Sequence, residues 1–195
     1  MPKTDPAREA LLTALEASGV SIPLWDGILI EETVRVAPGA TILPGCILRG
    51  NTTIAAGSVI GPGSVLTDAV IGENCAVKNT YITESTLEEN VSIGPFSQVR
   101  PGCHIAAGCK IGDFVEVKNS HIGQKTAIAH LTYVGDTDCG SGVNFGCGVA
   151  IANFNGKEKF RTTISDGAFL GCNTNLVAPV TIGAGAYNAA GATVT

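Results

Sequence analysis

The sequence is poor in aromatic side chains: Phe, Tyr and Trp make up 5% of its 195 residues, although 45% are apolar. A core of that composition is built from small aliphatic groups. Basic excess is also missing. Lys and Arg number 12 against 17 Asp and Glu, for a net charge of −5. No basic stripe is evident, so nucleic acid is not expected as a partner. No apolar run approaches the roughly 20 residues of a membrane span. Met1 to Pro6 lack the apolar stretch of a signal peptide. The expected setting is the cytoplasm, with no membrane contact. The seven cysteines are odd in number and include no CxxC pair. Free thiols used as small hydrophobes are therefore expected.

Glycine is abundant, at 25 residues, and so is regularity. An aliphatic residue recurs every six positions: Val36, Ile42, Leu48, Ile54, Ile60, Leu66. Four positions after each of the first five comes a small residue: Ala40, Cys46, Thr52, Ser58, Ser64. After five-residue steps the series resumes at Ile71, Val77, Ile82 and Leu87, then Ile93, Val99, Ile105, Ile111, Val117. It slips to Ile122, Ile128 and Val134, and ends in the runs Cys139, Phe145, Ile151 and Ile164, Leu170, Leu176, Ile182, Asn188, Val194. A strand alternates with period two and a helix with 3.6. A sustained six predicts an all-β parallel β-helix, one hexapeptide per face and three per coil. Cys46, Cys75, Cys103 and Cys109 hold the small inward position and read as packing residues.

Two stretches break the period. Residues 5–18 read as a helix, with Asp5 at the N-cap, Leu11, Leu12 and Leu15 on one face, and Gly19 at its end. Residues 1–20 are thus helix and linker, and 21–195 the β-helix. Between Ile151 and Ile164, about seven extra residues form a polar, basic insert (Lys157, Lys159, Arg161). A loop leaving a regular scaffold is a candidate for function.

In a solenoid, residues one coil apart lie about 4.8 Å from each other. Arg100 and Lys118 follow Val99 and Val117 on the third face, so the two cations stack. Their repulsion is roughly 3 kcal/mol at an effective dielectric of 20. They are either an anion site or two solvated surface charges. On the second face His130, Cys147, Cys172 and Ala190 each lie two positions after an inward residue and form a column. One titratable ring at the foot of a groove of small residues suits a general base beside a long thin ligand. Tyr133 leads from His130 toward the Lys118 corner. His104 and His121 read as surface histidines. The three histidines, 17 and 9 apart, do not follow the spacing of β-helical carbonic anhydrases, and no metal site is expected.

The segments IGPFSQVRPG (93–102), GDFVEVKNSHIG (112–123), AHLTYVGD (129–136), GVNFGCG (142–148), NFNGKEKFRTTI (153–164) and LVAPVTIGAG (176–185) resemble the acetyltransferase domain of bifunctional bacterial glucosamine-1-phosphate acetyltransferase/N-acetylglucosamine-1-phosphate uridyltransferase. That family belongs to the hexapeptide acyltransferases. The match is strong over residues 90–195; residues 20–90 match as generic coils. The resemblance implies left-handed coils, a homotrimer with sites between subunits, and acetyl transfer from acetyl-CoA to glucosamine 1-phosphate on the way to UDP-N-acetylglucosamine. It implies His130 as general base. Arg100, Lys118, Tyr133, Asn144 and Lys159 would hold the acceptor, with Glu116 orienting it. Cys147, Asn153, Phe154, Cys172 and Ala190 would line the acetyl-CoA path.

Departures from the family are also visible. Phe154 stands for a Tyr, Asn155 for an Asp, and Cys147 and Cys172 for Ala and Ser. No Gly-rich nucleotide loop precedes the helix, so uridyl transfer is not expected of this chain. Family members continue past the position of Thr195 into a tail that helps hold CoA. The competing expectations are an acetyltransferase for another amino-sugar or nucleotide-sugar acceptor, and a non-catalytic β-helical scaffold.

Overall fold

The computed structural model describes residues 5–195. Asp5 caps the helix Pro6–Ala17: its carboxylate accepts from the amides of Ala7 (3.1 Å) and Arg8 (3.4 Å). Pro6 follows, where a missing N–H leaves nothing unpaired. Gly19 turns the chain away with φ +98°. Leu12 is fully buried and Leu11 and Leu15 pack beside it. The helix thus covers one end of the solenoid core. Arg8 ties it down, donating through Nε to the Ile28 carbonyl (2.7 Å) and through Nη2 to that of Trp25. No helix among the described residues is long and apolar enough to cross a membrane.

Three parallel sheets then form the faces of a left-handed prism. The first face has nine strands, from Arg35–Val36 to Val180–Ile182. The second has nine, from Thr41–Ile42 to Tyr187–Asn188, and the third has ten, from Leu29–Ile30 to Thr193–Val194. The period-six residues are ladder partners, as in Leu48 with Leu66, Ile82 with Val99, and Ile111 with Ile128. Nearly all are buried. Strands of two to four residues cannot stand alone, so each coil is stabilised by stacking on its neighbours.

The small inward position works as expected. Cys46, Cys75, Cys103 and Cys109 are free and buried, and burial raises their thiol pKa values. At Cys139, on the aliphatic position, burial pushes the thiol up to about 12. These five are inert packing groups. Hydroxyls at the same small position bridge coils: Ser58 Oγ donates to the Gly72 carbonyl (2.7 Å) and accepts from the Cys75 amide (2.9 Å).

The corners account for the slips in the period. In many six-residue steps a residue of positive φ lies three after the inward residue, as at Gly102, Gly108 and Phe114. In the five-residue steps it lies two after, at Asp68, Asn79, Glu84, Asn119 and Asp136. Asn and Asp tolerate this left-handed region better than other non-glycine residues. Four of these five short steps turn the chain from the third face to the first; Asn79 is the exception.

Candidate active site

The third-to-first corner carries the charge. Val99 and Val117 are ladder partners, so Arg100 and Lys118 lie on successive coils. Each cation, however, has a carboxylate of its own. Arg100 Nη1 meets Glu116 Oε1 at 2.9 Å. Lys118 Nζ lies 3.3 Å from both oxygens of Asp136. Asp136 is the positive-φ residue of its corner, and its side chain is 7% exposed. It also accepts from Asn119 Nδ2 at 2.6 Å and from Asn153 Nδ2. Burial pushes the Asp136 carboxyl up. The hydrogen bonds from Asn119, Asn153 and Lys118, with the Lys118 charge, outweigh it and hold the pKa below the ordinary value.

The repulsion expected between Arg100 and Lys118 is therefore largely offset within the chain. A third cation shifts the balance. Lys159 stands close enough to Lys118 to have its pKa lowered, with Arg100 adding to the effect. Three cations beside two carboxylates leave the corner net positive.

Lys159 is delivered by the insert. Phe154 and Lys159 form an antiparallel bridge, and the Phe160 amide donates to the Asn153 carbonyl (2.8 Å). Asn155 Oδ1 accepts from the amides of Lys157 (2.9 Å) and Glu158 (2.8 Å), fixing a turn in which Gly156 has φ +92°. An amide oxygen fills this acceptor role as a carboxylate would, so the departure at Asn155 leaves the turn intact. Arg161 fastens the far end with a fork onto Asp138, Nε at 2.8 Å and Nη2 at 2.6 Å, while Nη1 reaches the Asn119 carbonyl (3.3 Å). The bonds from Arg161, then His121, hold the Asp138 pKa at about 2.

The second-to-third corner carries His130. Ile128, Phe145, Leu170 and Asn188 are successive ladder partners. His130, Cys147, Cys172 and Ala190 therefore form one column; Cys147 is half-buried, and Cys172 and Ala190 are exposed. Asp113 lies directly beneath His130 in register. His130 Nδ1 lies 2.6 Å from Asp113 Oδ1, and this bond lowers the Asp113 pKa. A carboxylate at Nδ1 places the ring proton there and leaves the Nε2 lone pair free to accept one.

Carboxylate pairing alone does not single out His130. His104 pairs with Glu88 (2.8 Å) and His121 with Asp138 (3.0 Å), both on the first face. The small-residue column above His130 is what distinguishes it. Among the described residues no three His, Cys, Asp or Glu side chains are grouped to hold a metal ion. Beneath and beside His130, the positive-φ corner positions are bulky. Phe96, Phe114 and Leu131 are each more than half exposed, and the two rings stack with centroids 5.5 Å apart.

Arg100, Lys118, Tyr133, Asn153 and Lys159 thus gather around the third face and its far corner. Tyr133 points outward above Glu116, its ladder partner, with its hydroxyl 3.4 Å from Asn153 Nδ2. Asn153 is buried, and its amide donates to Asp136 and Tyr133. Asn144 stands apart, on the outer side of the second face between Ala127 and Phe169. Phe154 is exposed on the hairpin. Reading from the sequence did not single out Asp113, Asp136, Asn119 or the Arg161–Asp138 fork. Asp113 carried a usable signal: it lies two after an inward residue, in the column of His130.

The family described as bacterial transferase hexapeptide (six repeats) matches residues 33–68 and 84–119, all coils of this solenoid. Those two stretches carry the repeat of that family. The chain is 45% identical over 187 residues to the bifunctional protein GlmU of Brevibacillus brevis, covering 96% of this chain and 41% of that one. It is 42% identical over 178 residues to the GlmU of Clostridium botulinum strain Langeland, covering 91% and 39%. With the GlmU of Carboxydothermus hydrogenoformans the identity is 45% over 182 residues, covering 93% and 41%. The chain spans about two-fifths of the length of these relatives. Among solved structures it is similar to the UDP-N-acetylglucosamine acyltransferase of Francisella novicida, with TM-score 0.47 and 19% identity over 86% of this chain and 60% of that one.

Proposed function

We propose that the chain transfers acetyl from acetyl-CoA to the amine of glucosamine 1-phosphate. The observation that carries this reading is the Asp113–His130 pair at the foot of the Cys147–Cys172–Ala190 column. Arg100, Lys118 and Lys159 take the sugar phosphate, and Tyr133 and Glu116 face the ring. His130 Nε2 accepts the amine proton as that nitrogen adds to the thioester carbonyl. The C–N bond forms, the tetrahedral oxyanion collapses, and the C–S bond breaks. His130 returns the proton to the departing CoA thiolate. A positioned base contributes roughly 10²–10⁴-fold to such a step.

The active unit in this reading is a homotrimer. His130 and Gly135, which is level with Lys118, are five residues apart along the third face, roughly 16 Å of extended backbone. A single hexosamine does not span that distance, and Asn144 lies on yet another face. A neighbouring copy brings the two edges together. The exposed ridge of Phe96, Phe114 and Leu131 supplies apolar surface for that contact.

The test is thiol release from acetyl-CoA with glucosamine 1-phosphate, glucosamine 6-phosphate, glucosamine or no acceptor, alongside the molecular mass in solution. Turnover with the 1-phosphate by a three-chain assembly, abolished in His130→Ala, is expected. Turnover confined to another acceptor would reassign the substrate, and an active His130→Ala protein would remove the base.

A further inference from the structure

The second face carries an aromatic pair that this chemistry does not use. Phe169 and Tyr187 are ladder partners on the last two strands of that sheet. Their rings stack with centroids 4.8 Å apart and planes within 11°. Both stand in the open, Phe169 39% and Tyr187 74% exposed, so core packing does not explain them. Phe169 covers one face of the Tyr187 ring.

The level of the pair is informative. Tyr187 shares a coil with Ala190, the top of the column that begins at His130. From His130 to Ala190 is three coil spacings, about 14 Å. The pantetheine arm of CoA, from sulfur to phosphate, has the reach of about four extended residues, again roughly 14 Å. An arm laid along Cys147 and Cys172 with its thioester at His130 therefore brings the nucleotide to the coil of Tyr187. The second face turns into this column without an intervening loop, so the base has a direct route onto the ring.

We infer that Tyr187, backed by Phe169, seats the adenine base of the acyl donor. The inference rests on the proposed donor path. A flat heterocycle on a pre-stacked aromatic pair gains contact without ordering a flexible side chain, and such stacking tolerates any planar base.

The experiment compares acetyl-CoA with S-acetyl-phosphopantetheine, which keeps the arm and lacks the nucleoside, in wild type, Tyr187→Ala and Tyr187→Trp. Calorimetric binding of CoA and the mass of the assembly are measured in parallel. Tyr187→Ala is expected to raise KM for acetyl-CoA about 5–10-fold, the low end for base stacking, with kcat and the short donor's KM unchanged. Tyr187→Trp should keep wild-type behaviour. Equal losses with both donors, no loss with either, or a dissociated Tyr187→Ala assembly would overturn the inference. Dissociation would assign the rings to a contact between copies. A wild type that neither binds CoA nor uses either donor would refute the donor path itself, and this seat with it.

Discussion

Asp136→Asn removes one charge and keeps the shape of the corner. Asn suits positive φ as well as Asp does, so backbone strain drops out of the comparison. At 3.3 Å, the attraction between Lys118 and Asp136 is about 5 kcal/mol at an effective dielectric of 20. Burying the carboxylate and the screening available at an outer corner offset much of that. A net loss of about 2 kcal/mol is expected, within the usual range for hydrogen bonds to charged groups. The assay is urea denaturation of both proteins as a function of pH. The folded pKa of Asp136 lies below its unfolded value. Its contribution is therefore complete above the unfolded value near 4 and is lost as pH falls through the lower folded value. The gap between wild type and variant should be full at pH 7 and close as the solution is acidified below about pH 4. A gap that persists unchanged at low pH would show a steric effect, and no gap at pH 7 would refute the electrostatic account.

Three further outcomes are expected. Asp113→Asn should lower kcat roughly tenfold or more with little change in KM for acetyl-CoA, because a neutral amide supports the imidazolium poorly; initial rates of CoA release decide it, and an unchanged kcat would make the pair incidental. Arg161→Met should free the 153–160 hairpin, seen as faster tryptic cleavage at Lys157 and Lys159 and a higher KM for the sugar phosphate, whereas wild-type cleavage would show that Asp138 does not hold the loop. Leu87→Ala, in the fully buried stack, should cost about 2–5 kcal/mol in urea denaturation, and a cost well below that would mean the coils close over the space.

The period of six was legible because every inward residue faces one core, and burial selects against polar groups there. Even the slips were visible, since a five-residue step still returns an aliphatic residue to the interior. Handedness was not legible: spacing is the same in either hand. The His130 column emerged from counting, because offset from an inward residue fixes the corner on which a side chain lies. The same count placed Arg100 beside Lys118, yet it could not show Glu116 and Asp136 reaching back to neutralise them. Asp136 was masked by its own corner, where Asp is already explained by positive φ. The fold of the insert was not legible, because the residues after Asn153 leave the repeat and the hairpin, not the period, decides where their side chains go.

The third-to-first corner has a consequence for how such proteins diversify. Successive crossings take six residues from Val99 to Ile105, five from Val117 to Ile122, five from Val134 to Cys139, and thirteen from Ile151 to Ile164. Yet Ile105, Ile122, Cys139 and Ile164 remain ladder partners throughout. Chain length is negotiable at this edge without any residue of the interior changing its neighbour. Insertions can therefore be tried there as raw material for new specificity, and a failed trial leaves the scaffold standing. The hairpin that carries Lys159 has the form of one such trial retained.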